Sequence, residues 1–184
     1  SCFCAFCRRF VCTWILFAAA VVDFFSSFTA LARRSSIALR PASAAAARPD
    51  ATLDGVLVAD FSRVLAGPYA TMMLADLGAT VIKVEGPGGD DTRTWKPPVV
   101  SDPEHGDIST YYLSINRNKR SVVLDLTDPG DLAAARELAR RADVVVENFR
   151  PGGAARFGLD HDSVSAGNPG VVYCSITGFG QDGP

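Results

Sequence analysis

The sequence predicts an α/β fold: an open, mainly parallel Rossmann-like sheet with flanking helices, built by residues 51–184 behind a separate leader at 1–50. Three observations carry that prediction. Short apolar runs alternate along the body with segments of helical period, and such alternation specifies a parallel sheet covered on both faces. The runs set apolar residues at consecutive positions rather than at every second one, as strands buried on both sides do. At 184 residues and 48% hydrophobic, without a fixed repeat, the chain has material for one domain with one core.

The elements follow in order. Residues 56–60, VLVAD, form a buried strand by pattern. Pro68 then helps open a helix, because proline lacks only an N–H that the first turn leaves unpaired anyway. Tyr69, Met72, Met73 and Leu77 recur at helical spacing, and Gly78 supplies the stop. Residues 80–84, TVIKV, make the second strand and complete a βαβ unit with a right-handed crossover. Residues 86–110 show no periodicity and read as a long functional loop. A strand resumes at 121–126. Thr127 or Asp128 caps the next helix, Pro129 lies in its first turn, and Leu132, Ala135, Leu138 and Ala139 form its apolar face. Residues 142–147 read as a strand, 160–166 as a short helix and 171–176 as the last strand. Ligands of such sheets bind beyond the carboxyl ends of the strands, which singles out the loops at 60–67, 85–93 and 148–156.

Charge is unevenly placed. The net −2 combines +5 over residues 1–49 (Arg8, Arg9, Arg33, Arg34, Arg40 and Arg48 against Asp23) with 12 basic and 19 acidic side chains, or −7, over residues 50–184. A basic leader before an acidic body is the pattern of an address tag on a soluble enzyme. The acidic body also argues against nucleic acid, whose phosphates need concentrated Lys and Arg. Within the leader, residues 10–22 are almost wholly apolar behind Arg8-Arg9, as in a secretory signal, but fall short of the roughly 20 residues of a membrane span. Residues 26–48 are rich in Ser, Ala and Arg and contain no acid, the composition of a mitochondrial or plastid presequence. The expectation is a mitochondrial address, with a plastid or a membrane/secretory address as alternatives. The leader is expected to stay outside the fold, disordered or partly helical. The first methionine is Met72, so the native start is expected to lie elsewhere. Cys2, Cys4, Cys7 and Cys12 fall in the leader and only Cys174 in the body, which rules out a disulfide within the body and favours a reducing compartment.

Several segments carry chemistry, each with a plainer alternative. Arg63-Val64-Leu65-Ala66-Gly67-Pro68 joins the first strand to the first helix. Its small residues would let backbone approach a ligand, and the helix N-terminus offers unpaired N–H groups to a phosphate. The alternative is a tight turn that binds nothing. No G-x-G-x-x-G is present, so a dinucleotide fingerprint is absent. Asn116-Arg117-Asn118-Lys119-Arg120-Ser121 sets three cations before a strand, either to meet phosphates or as a solvated turn with local ion pairs. In Glu147-Asn148-Phe149-Arg150-Pro151-Gly152-Gly153, followed by Arg156, an aromatic could stack a base while the arginines bind phosphates. The alternative leaves Phe149 in the core and the arginines solvated. His105 and His161 do not suggest a metal pair, and neither has a Ser or Cys partner. The Cys2–Cys7 cluster lacks a second pair at zinc spacing, so no metal is expected. Cys174, mid-strand, reads as core.

Together these segments resemble the opening of the family III CoA-transferases (the CaiB/BaiF family). The resemblance runs through residues 58–68, VADFSRVLAGP, and 74–85, LADLGATVIKVE. It continues through Gly89-Asp90-Asp91-Thr92-Arg93, residues 116–121, residues 146–152 (VENFRPG) and 175–184 (SITGFGQDGP), covering nearly all of 53–184 in order. Within the family, residues 90–95, 109–114 and 172–177 are most similar to the branch that moves CoA from succinyl-CoA to glutarate or hydroxymethylglutarate.

The resemblance implies transfer of CoA from an acyl-CoA thioester to a free carboxylic acid, with coenzyme A as substrate and an aspartyl intermediate. Backbone N–H groups would stabilise the developing oxyanion. It implies CoA contacts at Val64, Leu65 and Ala66, at Leu124, Asp125, Leu126 and Thr127, at Asn148, Phe149 and Arg150, and at Arg156. Leu65 replaces the glutamine of the formyl-CoA branch, and Gly86 replaces a cation that some members carry. The nucleophilic aspartate is expected beyond Pro184, so the residues in hand supply no catalytic group and the fragment alone is expected to be inactive. An interlocked homodimer is expected of the full-length protein. The alternatives are an α-methylacyl-CoA racemase, which replaces the nucleophile with an acid/base pair, and a non-catalytic CoA-binding fragment.

Overall fold

Every strand of the main sheet runs parallel, in an order that reverses direction at its centre. The structure is a computed structural model and describes residues 9–12, 51–103 and 106–182. Its elements are β1 (Arg9–Cys12), β2 (Leu57–Asp60), α1 (Ala66–Asp76), β3 (Thr80–Glu85), a 3-10 turn (Asp91–Thr94), β4 (Val99–Asp102), β5 (Gly106–Ser109) and α2 (Thr110–Asn116). Then follow β6 (Arg120–Val123), α3 (Pro129–Arg141), β7 (Val144–Glu147), α4 (Gly153–Arg156), α5 (His161–Gly167) and β8 (Val172–Ile176). The sheet order is β1-β8-β7-β2-β3-β6. From β2 the chain moves through β3 to β6 on one side, while β7 and β8 lie on the other. The loops after β2 and β7 therefore part at the switch point, where open α/β sheets form a crevice.

The apolar runs are continuous because both sheet faces are covered. Side chains alternate between faces along a strand. Val58, Val81, Val144, Val146, Cys174 and Ile176 pack with Leu74 and Ala75 of α1. Ala59, Val84, Val145 and Tyr173 pack with Ala135 and Ala139 of α3 and Val164 of α5. Cys174 is a core residue, as its mid-strand position predicts.

Local chemistry sets the element ends. Gly78 adopts φ +102, a region that favours glycine, and its N–H reaches the Ala75 carbonyl at 3.0 Å to close α1. Asp128, not Thr127, caps α3: its carboxylate accepts the Gly130 and Asp131 N–H groups at 2.8 and 3.0 Å. Thr127 instead donates its N–H and hydroxyl to Asp125, a local turn that ends the strand at Val123 rather than at 126.

Three segments differ from expectation. Residues 86–110 are not one loop: they hold the 3-10 turn and an antiparallel β4–β5 hairpin. Most residues of that hairpin are exposed, so it carries no buried alternation to reveal it. The loop at 148–156 contains α4, entered through Gly152 at φ +75. Four leader residues, Arg9–Cys12, pair in parallel with Tyr173–Ile176 and so add to the sheet edge. An open edge offers unpaired N–H and C=O groups to such a segment. His105 and the Cys2–Cys7 cluster lie outside the described residues.

Candidate functional site: a cleft at the switch point

A buried ionic cluster supports the loops at the carboxyl ends of β2 and β3. Lys83 and Asp90 pair at 2.8 Å with side chains 1% and 0% exposed, and Lys83 also donates to the Ser62 carbonyl at 2.9 Å. Lys119 pairs with Asp60 at 3.1 Å and donates to the Pro68 carbonyl and to Asn116. Asp60 further accepts from Thr71 at 2.6 Å and from the Ser62 N–H at 3.0 Å. Burial pulls the Lys119 ammonium down to about 8 against the raising effect of Asp60. Two buried cations thus alternate with two buried carboxylates, which satisfies groups that would be costly alone.

Glu85, at the end of β3, anchors the next shell. Its two oxygens accept from Arg93 (2.7 Å twice), Tyr112 (2.9 Å), Ser121 (2.6 Å) and the Asp90 N–H (2.8 Å). Burial alone would raise this carboxyl, but Arg93, Ser121, Asp90 and Tyr112 outweigh it and hold Glu85 at about 2. In the cation-rich segment at 116–121, Lys119 is buried in the cluster and Arg117 grips Asp76 at 2.5 Å, so two of its three cations are paired with carboxylates distant in sequence.

Above this base lies the cleft. It encloses about 360 Å³ and is lined by Arg63-Val64-Leu65-Ala66, Asn148-Phe149-Arg150-Pro151 and Ile176-Thr177-Gly178. These are the carboxyl-end loops of β2, β7 and β8, the three strands around the switch point. No lining residue carries a carboxylate, whereas Arg63 and Arg150 contribute two cations. The N-terminus of α1 opens at Ala66 with no side-chain cap and no acid in its first turn. Its partial positive charge therefore faces the same space. Val64 sits at φ +70, an uncommon conformation for a β-branched residue. The Asp90 carboxylate meets its N–H at 3.3 Å. Thr177 is 8% exposed, and among the described residues its buried hydroxyl has no hydrogen-bond partner.

The structure brings together six of the expected contact residues: Val64, Leu65, Ala66, Asn148, Phe149 and Arg150 all line the cleft. It places Leu124, Asp125, Leu126, Thr127 and Arg156 elsewhere. Leu124 and Leu126 pack on the α3 face, Asp125 bonds Thr127 and Asp131, and Arg156 is exposed in the last turn of α4. Phe149 serves two ends, packing on Phe157 at 6.1 Å while facing the cleft. Gly67 is required by packing within the chain, because a Cβ there would overlap the Ser62 side chain. Arg63, Thr177 and Asp90 were missing from the expected set. The rule of strand carboxyl ends reaches Thr177 only once β8 is known to neighbour β7.

A second, smaller cavity of about 170 Å³ lies behind Phe149 and Arg150, lined in part by Glu147, His161, Tyr173, Ser175 and Gln181. Burial pushes the Glu147 carboxyl up, against the opposing bonds from Ser175, the Phe149 N–H and Tyr173. His161 contacts Asp162 at 2.9 Å and sets its ring edge-on to Tyr173. Among the described residues, no three His, Cys, Asp or Glu side chains gather as they would around a metal ion.

A parallel α/β sheet with a switch-point cleft is common to many ligand-binding α/β proteins, and this chain belongs to one family of them: residues 53–184 match CoA-transferase family III. More particularly, the chain is 55% identical over 134 residues to succinate–glutarate CoA-transferase of Agrobacterium fabrum, covering 72% of this chain and 34% of that one. It is 54% identical over 133 residues to human succinyl-CoA:glutarate CoA-transferase, covering 72% and 29%. The crystal structure of a CaiB/BaiF family protein from Brucella suis superposes with a TM-score of 0.68 at 50% identity, over 71% of this chain and 34% of that one. The chain thus spans about a third of the length of the relatives it matches.

Proposed function

We propose that residues 53–184 form the CoA-gripping portion of an enzyme that moves CoA from succinyl-CoA to a free dicarboxylic acid such as glutarate or hydroxymethylglutarate. The observation that carries this reading is the cleft itself: two arginines, an uncapped helix N-terminus and no lining carboxylate. That setting suits a polyanionic ligand bearing a thioester. The substrates named for the bacterial and human relatives support the choice of donor and acceptor. Arg156 and the Leu124–Thr127 stretch, which lie away from the cleft, are assigned to the outer part of an extended CoA molecule.

Chemically, the cleft binds and orients. Amides at the start of α1 can meet an oxyanion that develops on a thioester carbonyl. The covalent step expected of the family is attack by an aspartate carboxylate on the donor thioester. The cleft's own lining supplies no such carboxylate. Asp60 and Asp90 are fully buried and held by Lys119 and Lys83. We therefore place the nucleophile outside the described residues and expect this chain alone to hold CoA without transferring it. A homodimer is the proposed assembly of the active enzyme, and the basic leader is the proposed mitochondrial address.

The test is a chimera in which residues 53–184 replace the matching segment of the human relative. With succinyl-CoA and glutarate, the folded chimera should form glutaryl-CoA and succinate in equal amounts by mass spectrometry. A folded chimera that binds neither acyl-CoA nor free CoA would overturn the reading.

A further inference from the structure

Asn148 follows β7, and Arg63 lies in the loop after β2. The two strands pair from Val58↔Val144 to Asp60↔Val146, and the Phe61 N–H carries the ladder one step further to the Val146 carbonyl at 2.8 Å. Beyond that point the main chains part around the cleft. There the Asn148 carboxamide takes over the pairing. Its Oδ1 accepts the Arg63 N–H at 2.8 Å, and its Nδ2 donates to the Arg63 carbonyl at 2.8 Å. A side-chain amide thus continues the sheet for one residue after the backbone has left it.

We propose that Asn148 is a positioning residue. Its side chain fixes the loop from Arg63 to Ala66 in its binding shape and does not itself grip the ligand. This rests on the reading of the cleft as a CoA site. Both ends of the carboxamide are engaged by Arg63. The next residue, Val64, sits at φ +70, a conformation that persists for a β-branched side chain only where the surroundings hold it. Asn148 holds that turn from the Arg63 side, and Asp90 holds it at the Val64 N–H. Few other residues fit the position. Ionised aspartate accepts the Arg63 N–H but cannot donate to its carbonyl, and glutamine inserts a methylene that displaces both bonds.

Chemistry provides a test that bulk destabilisation would not mimic. A protonated aspartic acid offers one acceptor and one O–H donor, as the asparagine amide does. In the 184-residue chain, the Arg63 amide should be protected from hydrogen exchange and should lose that protection in Asn148→Ala. CoA affinity should fall about tenfold in Asn148→Asp at pH 7.5, on the order of one lost hydrogen bond. It should return towards the wild-type value, measured at the same pH, as the solution is taken to pH 4.5. Unchanged Arg63 exchange in Asn148→Ala would overturn the proposal, as would an affinity ratio that stays constant with pH. Failure of the wild-type chain to bind CoA would instead defeat the reading of the cleft, and the exchange result would still decide whether the clamp exists.

Discussion

Replacing Asp90 with alanine tests how much the cleft depends on the charges beneath it. The Asp90 carboxylate is fully buried, pairs with the equally buried Lys83 at 2.8 Å, and accepts the Thr92 N–H and hydroxyl at 3.0 and 2.7 Å. Removing it leaves the Lys83 ammonium with the Ser62 carbonyl as its remaining partner. Breaking one side of a buried pair costs about 3–5 kcal/mol, because the other charge stays buried without compensation. Urea unfolding of the 51–184 body at pH 7 should therefore show Asp90→Ala losing about that much. The double variant Lys83→Met/Asp90→Leu should recover most of it, since replacing both partners removes the desolvation burden. An Asp90→Ala loss below about 1 kcal/mol, the range of an exposed pair, or single losses that simply add would show that the pair is not a coupled, buried one. The same variant frees the Val64 N–H, so its CoA affinity should fall further than its stability alone explains.

Three further outcomes are expected. Glu85, held at about 2 against an ordinary 4.5, binds protons less readily when folded than when unfolded. Its contribution is then fully present above pH 4.5 and lost as pH falls towards 2. The shift corresponds to about 3 kcal/mol, so Glu85→Gln should lower stability at pH 6 and flatten the acid limb of a stability–pH curve; an acid limb as steep as wild type would count against it. Thr177→Val removes a buried, unpartnered hydroxyl, so it should leave stability unchanged or slightly raised while weakening CoA binding several-fold; unchanged affinity would take Thr177 out of the site. Residues 1–50 fused to a fluorescent protein should direct it to mitochondria, and a diffuse or secreted signal would refute that address.

Much of the fold was legible because burial on both faces leaves a plain mark. VLVAD, TVIKV and residues 142–147 carry apolar residues at consecutive positions, the mark of interior strands, and Gly78 and Pro129 punctuate the helices for stated stereochemical reasons. The hairpin at 99–109 left no mark, because exposed strands need no hydrophobic alternation. The roles of the charged residues were the least legible. Lys119 lies in a cation-rich stretch that suggests phosphate binding, and only the three-dimensional meeting with Asp60 shows it to be internal. Asn148 reads from the sequence only as a ligand contact, and its pairing of both amide ends with Arg63, 85 positions away, is visible only in the structure. Sheet order decides such questions, and local pattern does not contain it.

CoA is proposed to sit between the loops after β2, β7 and β8. Titrating the isotope-labelled chain with CoA and following each backbone amide by NMR tests it most directly. Saturable shifts should concentrate at Arg63–Gly67, Asn148–Arg150 and Thr177–Gly178 and weaken in Arg150→Ala. Shifts confined to the second cavity around His161 and Gln181, or none at all from a folded chain, would contradict it.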